Sequence, residues 1–442
     1  MAKYAEVKKA LIDACWPRRI SRSSESADSI RFPRFNFANS FLLYLAILAL
    51  VALLEHLFGI LPSPPPQVDI TNVLRVSVAL RLDDKENQSV HSLNSGIEVA
   101  RILFLRRNPG INIDLDRLAY DNVENLRAMA RRIIDSGTPA VIGGEWSSEA
   151  LELGSILKES SVVFVTPTAS NPKVTEDRPY IFRICLPDDV VASRLAFYTL
   201  DKLKPKTLAV VHDTASPYSD YLSQKYVDTV MGQLNRRRAN ERPVVIQEKF
   251  NPATAPESRS MNYEAVDFRP MIEKFKRQNV THVTLLSYSS DLIPFLKQAN
   301  EADFHPVYIG GDGWGAPSRL YKTAADQGVD LTHFQAYRHF YWDESKNTTL
   351  AQEFGSEFEK LYKVPPEGLD AIGFDAAWVL FTAMSKADYP RSGDKIRREM
   401  LQLESMSLLT YDHFQFEQNN GLGNMPIFKL TGSGSTLVDS IR

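Results

Sequence analysis

Residues 139–167 read PAVIGGEWSSEALELGSILKESSVVFVTP. The run AVIGG is short, apolar and closed by two glycines, which predicts a buried strand. Helical spacing follows to about Glu159, and VVFVTP predicts a second buried strand. Two strands that are apolar throughout and separated by a helix read as a parallel pair covered on both faces.

The alternation extends in both directions. Upstream, VLRVSVAL (73–80) predicts a first strand, residues 93–104 a helix, INIDLDRLAYD a second strand and residues 122–136 a helix. Downstream, TLAVVHD, PVVIQEKF, HVTLLSY and PVYIGG predict strands, each followed by a helical pattern. Helices dominate from about Thr348 to Leu403, and LLTYDHFQF and MPIFKL close the chain as strand-like runs. This is too much alternation for one sheet, so the fold class is α/β with two doubly wound lobes.

Composition narrows the function classes. The chain has 442 residues, 44% hydrophobic and 24% charged, with net charge −3. That balance argues against a nucleic-acid binder. Two cysteines, Cys15 and Cys185, exclude a disulfide scaffold and a cysteine-built zinc site. Residues 1–39 hold eight basic and four acidic side chains and are expected to be a disordered cytoplasmic tail. From Phe41 to Leu54 the chain reads FLLYLAILALVALL, and residues 40–61 are expected to form a transmembrane signal anchor. A cleaved signal peptide and a buried core helix are the alternatives. The Pro-rich stretch 62–71 reads as a spacer. Lobe 1 is expected over 72–187 plus 338–405, and lobe 2 over 188–337 plus 406–442.

In doubly wound sheets, ligands bind at loops beyond the carboxyl ends of strands. Four such loops carry polar chemistry. GGEWSSE (143–149) offers close turns, with Ser147 or Ser148 capping a helix whose amides attract a carboxylate; plain capping is the alternative. TPTASNP (166–172) offers hydroxyls at Thr166, Thr168 and Ser170, or is an ordinary turn. HDTASPYSDY (212–221) pairs His212 with Asp213, as a metal ligand or base, or with Asp213 simply capping the next helix; Tyr218 is a candidate aromatic lid. GGDGWGAPS (310–318) formally fits the dinucleotide fingerprint, but no acid stands about twenty positions on. It reads better as Asp312 presented by a glycine turn to an ammonium, or bonding its own turn. No nucleophile elbow, phosphate loop or clustered histidine spacing occurs, so neither enzyme chemistry nor a metal or other cofactor is expected.

The stretches PAVIGGEWSSEALELGSILKESSVVFVTPTASNP, YIFRICLPDDVVASRLAFYTL, KPKTLAVVHD, VTLLSYSSDLIPFLKQAN, PVYIGGDGWG and GFDAAWVLFTAM, in that order, resemble the type I periplasmic solute-binding proteins, in particular the leucine/isoleucine/valine-binding branch. The resemblance implies two lobes joined by a hinge and closing on a small ligand. It implies that Ser147 binds a ligand carboxylate, that Thr168 offers its carbonyl to an ammonium with Ser170 beside it, and that Asp312 is the acidic ammonium partner. Tyr218 and Tyr288 become the aromatic walls of the second lobe. The chain departs from the family at Trp146, where a smaller residue is usual, in the charged segment RLDDKENQS after the first strand, and in Asp312 replacing the usual Glu.

The expected function is thus a membrane-anchored extracytoplasmic protein that encloses an amino acid or related solute. Trp146, Ser147, Thr168, Ser170, Tyr218, Tyr288 and Asp312 are its candidate ligand residues, and an ABC permease its expected partner. The alternative is a ligand-sensing or protein-interaction module on the same fold, which the tail favours.

Overall fold

In the computed structural model, the described residues are 72–81, 91–252, 266–343 and 345–442. The expected tail, anchor and spacer lie outside them, as does all of RLDDKENQS except Arg81. Among the described residues no helix is long and apolar enough to cross a membrane.

The chain builds two seven-stranded sheets. The first begins with β1 (Val73–Arg81), α1 (Leu93–Arg107), β2 (Asn112–Tyr120), α2 (Val123–Ser136) and β3 (Ala140–Ile142). It continues through α3 (Ser147–Leu157), β4 (Val163–Thr166) and β5 (Ile181–Arg183). After α4 (Asp188–Tyr198), the second sheet runs β6 (Thr207–Asp213), α5 (Pro217–Leu234), β7 (Val244–Phe250), α6 (Arg269–Arg277) and β8 (His282–Leu285). Then come α7 (Ser289–Glu301), β9 (Val307–Gly310), α8 (Pro317–Asp326) and β10 (Gln335–His339). Helices α9 (Thr349–Tyr362), α10 (Gly368–Lys386) and α11 (Gly393–Leu401) precede the terminal strands β11 (Gln415–Glu417), β12 (Asn420–Leu422), β13 (Met425–Thr431) and β14 (Gly434–Ile441).

The sheet orders are β11-β12-β5-β4-β3-β1-β2 and β14-β13-β10-β9-β8-β6-β7. Parallel pairing runs through six strands of the first sheet, β12 to β2, and five of the second, β10 to β7, with antiparallel pairing confined to the terminal strands. All seven residues of β6 and all four of β4 are buried, as strands covered on both faces must be.

One placement differs from expectation. Residues 415–422 join the first sheet, where β12 pairs with β5 at Asn420 and Arg183, although 406–442 was expected in the second lobe. The apolar pattern of LLTYDHFQF marks a strand but carries no information about its neighbour. The chain passes between the two halves at 184–187, between His339 and Thr349, and at 423–424. Asp375 in α10 holds the segment before the last crossing, accepting from the amides of Leu409 at 2.9 Å and Thr410 at 2.8 Å and from the Thr410 hydroxyl at 2.6 Å.

The strand order reverses around β1 in the first sheet and around β6 in the second, with β3 and β8 as the inner neighbours. Loops at such reversals diverge and leave a crevice. Trp146 follows β3, and Tyr288 follows β8, so the fold delivers these two residues from equivalent positions in the two lobes.

Candidate functional site

The loop after β3 is shaped by its glycines. Gly144 has φ +67°, and a Cβ there would lie 2.9 Å from the Phe164 ring. The helix cap falls on Trp146 rather than on a serine, and α3 starts at Ser147. Glu149 reaches back to the Trp146 amide at 3.4 Å. The parallel register of β1 and β2 sets Arg81 beside Tyr120, and both meet this same buried carboxyl. Arg81 Nη1 donates to Glu149 Oε1 at 2.5 Å and Tyr120 Oη to Oε2 at 2.6 Å. Burial raises the Glu149 pKa, with the Arg81 charge and the Tyr120 hydroxyl opposing. The Arg81 guanidinium also lies over the Trp146 indole, 5.2 Å from its centroid. Arg81, the one described residue of the charged segment, therefore reaches the site.

The indole crosses to the other lobe. Trp146 stacks on Tyr288 with centroids 4.2 Å apart and planes 23° apart, and Tyr218 lies tilted against Tyr288 at 5.1 Å. Such aromatic contacts contribute about 0.5–1.5 kcal/mol each beyond area burial. Tyr218 is buried, and its hydroxyl donates to Asp312 Oδ1 at 2.9 Å and accepts from the Gly313 amide at 3.2 Å. The Tyr341 hydroxyl, from the second crossing, donates to Asp312 Oδ2. Burial and the Asp312 charge push both phenols well above their ordinary range, so both stay protonated and donate. The glycines of GGDGWG make this possible: a Cβ on Gly311 would lie 2.5 Å from the Tyr218 hydroxyl, and one on Gly310 would lie 2.3 Å from the Trp314 ring.

The hydroxyl side of the site is built from the loop after β4. Ser147 Oγ accepts from the Asn171 amide at 3.3 Å, and Thr168 Oγ1 donates to Glu145 O at 2.7 Å. Asn171 Nδ2 donates across the crevice to Pro217 O at 2.8 Å. Arg183, fully buried, pins the loop from below by donating to Ser170 O at 2.5 Å and Asn171 O at 2.6 Å. The Ser170 hydroxyl is buried without a hydrogen-bond partner.

The structure thus joins Trp146, Tyr288, Tyr218 and Asp312 into one linked set and ties Ser147 to the Thr168–Asn171 loop. Sequence reading missed Arg81, Asn171, Arg183, Asp188 and Tyr341. Arg183 and Asp188 flank the first crossing, and a crossing is the one signal that could have drawn attention to them. Two surface grooves, of about 500 and 240 Å³, are lined by none of the seven expected residues.

The His212–Asp213 reading resolves as structure. Asp213 accepts from the Ala215 amide at 2.9 Å, and α5 is capped by Ser216. His212 is fully buried, with neither ring nitrogen hydrogen-bonded. Among the described residues no group of three or more metal-ligating side chains occurs. Burial depresses the His212 pKa below the ordinary value of 6.5. A depressed histidine keeps stability above the unfolded value and loses it as pH falls, because the unfolded chain then binds the extra proton. Below about pH 6.5 this one group should cost up to about 1.4 kcal/mol per pH unit. His212→Leu should flatten the decline in denaturant-derived stability between pH 7 and pH 5; an unchanged slope would show that the imidazole finds a partner.

Two doubly wound lobes with matched topology, three crossings and facing loops at the strand reversals define a two-lobed type I binding fold. A profile of the family described as "Periplasmic binding protein" matches residues 119–434, and the chain belongs to that family. It is 28% identical over 188 residues to the Leu/Ile/Val-binding protein of Escherichia coli K12, a match covering 42% of this chain and 46% of that protein. The chain thus spans about half the length of such relatives. It is 24% identical over 287 residues to a leucine-, isoleucine-, valine-, threonine-, and alanine-binding protein of Pseudomonas aeruginosa, covering 63% of this chain and 69% of that one. In fold, it is similar to the crystal structure of a leucine-binding protein from Thermotoga maritima, with TM-score 0.70 and 20% identity over 84% of this chain and 99% of that one.

Proposed function

We propose that this chain is an extracytoplasmic solute-binding protein that encloses an amino acid or related small polar ligand between its lobes. The observation that carries the reading is the meeting of equivalent loops from both lobes, Trp146 on Tyr288, beside the Ser147–Asn171 loop and Asp312. The relatives' names as binding proteins for leucine, isoleucine and valine support an amino acid as ligand. In this reading the ligand carboxylate lies toward Ser147 and Ser170, and its ammonium toward the Thr168 carbonyl and the acidic side where Asp312 sits. The aromatic residues exclude water, which strengthens each polar contact. The basic tail and apolar run of residues 1–61 support a single-pass anchor with a cytoplasmic N-terminus, and an ABC permease is the proposed partner.

The test is a thermal-shift series over the twenty amino acids. A ligand at a hundred times its Kd should stabilise the protein by about 2.7 kcal/mol. No shift with any of them would overturn the reading.

One observation favours a second reading. Trp146 occupies the crevice, and both Asp312 oxygens are already bonded. A crevice that fills itself suits a sensing or protein-interaction module whose lobes stay together. Trp146→Ala separates the two. If the indole competes with a solute, the variant should bind that solute about tenfold more tightly, the equivalent of a stacking contact of about 1.4 kcal/mol. If the lobes form a scaffold, the variant should lose stability and gain no ligand.

A further inference from the structure

The groove of about 240 Å³ lies at the third crossing and shares no lining residue with the crevice. Its walls come from both halves of the molecule. Arg194 enters from α4, which packs on α5, and Arg442 follows β14 of the second sheet. Gln415 and Leu422 belong to β11 and β12 of the first sheet, and His413 directly precedes them. Gly423 and Asn424 are the crossing itself.

Charge in this groove is unbalanced. Arg194 Nη1 donates to Gly423 O at 2.7 Å, which fixes the guanidinium against the crossing, but no carboxylate pairs with it. Burial lowers the Arg194 pKa, so its charge lacks the compensation a buried cation needs. Among the described residues, the Arg442 and His413 side chains have no ion-pair or hydrogen-bond partner. The only acidic side chain lining the groove is Asp412, and it is ion-paired to Lys346 at 2.9 Å. Lys346 is anchored in turn, donating to Leu408 O at 3.0 Å. Asn424 is also spent, its Oδ1 accepting from the Asp412 amide at 3.1 Å and its Nδ2 donating to Ser440 Oγ at 2.8 Å.

The groove therefore presents two guanidinium groups and an imidazole without an acceptor of their own. A guanidinium fork matches pairs of oxygens on phosphate or carboxylate. Two forks at one groove favour a doubly charged oxyanion over a singly charged one.

We propose that this groove binds a small oxyanion of the phosphate class, gripped by Arg194 and Arg442, and that the bound anion ties the two lobes together at the third crossing. The arginines are delivered by the second half of the molecule and His413 and Gln415 by the first. An anion touching both holds the crossing in place while the crevice is shut. A ligand that favours one lobe arrangement changes affinity at any other site that depends on that arrangement, and the coupling is reciprocal. Anion binding stands on the groove alone; its coupling to the crevice rests on the reading of the crevice as a solute site.

The experiment is titration calorimetry of the full chain with inorganic phosphate, glycerol phosphate and acetate, at constant ionic strength balanced with chloride. Phosphate and glycerol phosphate should bind saturably, and acetate should bind about tenfold more weakly or worse. Arg442→Glu should weaken phosphate by about tenfold or more, the loss of a charge-assisted contact, with its melting temperature in chloride unchanged because the side chain is exposed. Arg194→Gln should abolish binding; it also frees Gly423 O, so Arg442→Glu carries the test if that variant loses stability. Lys158→Glu, an exposed basic residue on α3, should bind phosphate like the wild type. Saturating phosphate should tighten the best amino acid of the thermal-shift series by about fivefold in the wild type and not in Arg442→Glu. No saturable binding of either phosphate, or equal phosphate affinity in wild type and Arg442→Glu, would overturn the site. Phosphate binding with unchanged amino-acid affinity would overturn its bridging role. Absence of binding by every amino acid would overturn the solute reading and leave the anion titrations standing as the test of the groove.

Discussion

Arg183→Met should destabilise the protein by about 3 kcal/mol and loosen the loop after β4. The guanidinium donates to Ser170 O, Asn171 O and, at 3.4 Å, the Thr175 hydroxyl, all within a fully buried setting. Methionine fills similar volume but removes the charged donor from two buried carbonyls, leaving Ser170 O with the Asp188 amide at 2.9 Å and Asn171 O with the Val174 amide at 3.0 Å; hydrogen bonds to charged groups contribute about 1.5–3 kcal/mol each. Removing a desolvated cation recovers part of that, since burial already lowers the Arg183 pKa. The cost outweighs the recovery because the carbonyls remain in place. Asn171 is the residue that reaches both Ser147 and Pro217, so slack in this loop should also lower affinity. Urea denaturation and amide exchange at Asn171 and Asp188 measure the two effects. A loss below about 1 kcal/mol would mean that the Asp188 and Val174 amides satisfy the carbonyls on their own.

Gly96→Val should cost about 3 kcal/mol or more. Helix propensity alone predicts a gain for Gly96→Ala of about 1 kcal/mol. Packing opposes it: a Cβ on Gly96 would lie 1.8 Å from Asp370 O and 2.7 Å from the Phe374 amide, while one on Gly373 would lie 2.4 Å from Leu93 O. Helices α1 and α10 therefore meet backbone to backbone, and overpacking of this kind against main chain typically costs 1–3 kcal/mol or more. Packing wins over propensity. Asp370 depends on the same approach, accepting from the Ser92 amide at 2.9 Å and His91 Nδ1 at 2.8 Å. Melting temperatures of Gly96→Ala and Gly96→Val should fall in that order; a rise for alanine would refute the close crossing.

The alternation of strands and helices was legible because β4 and β6 are buried on both faces and read as unbroken apolar runs. The strand β14 was not, since GSTLVDSI is half-exposed and rich in Ser and Thr. The loops of the site were legible from glycine and hydroxyl residues at strand ends. What could not be read was which charged side chains go inside. Arg183 and Asp188 sit in IFRICLPDD, where a charged side chain by itself suggests surface, and both are buried. Trp146 stood out as a departure, but its stacking on Tyr288 exists only when the lobes are together. The glycines of GGDGWG were read as a turn; their contacts show that they clear room for the Tyr218 hydroxyl and the Trp314 ring.

A crystal structure grown with the amino acid that gives the largest thermal shift tests the central claim most directly. The account predicts the ligand between the Ser147–Asn171 loop and the acidic side, its carboxylate toward Ser147 and its ammonium toward Asp312, with Trp146 moved off Tyr288. An indole still stacked on Tyr288, with nothing bound between the Ser147–Asn171 loop and Asp312, would contradict it.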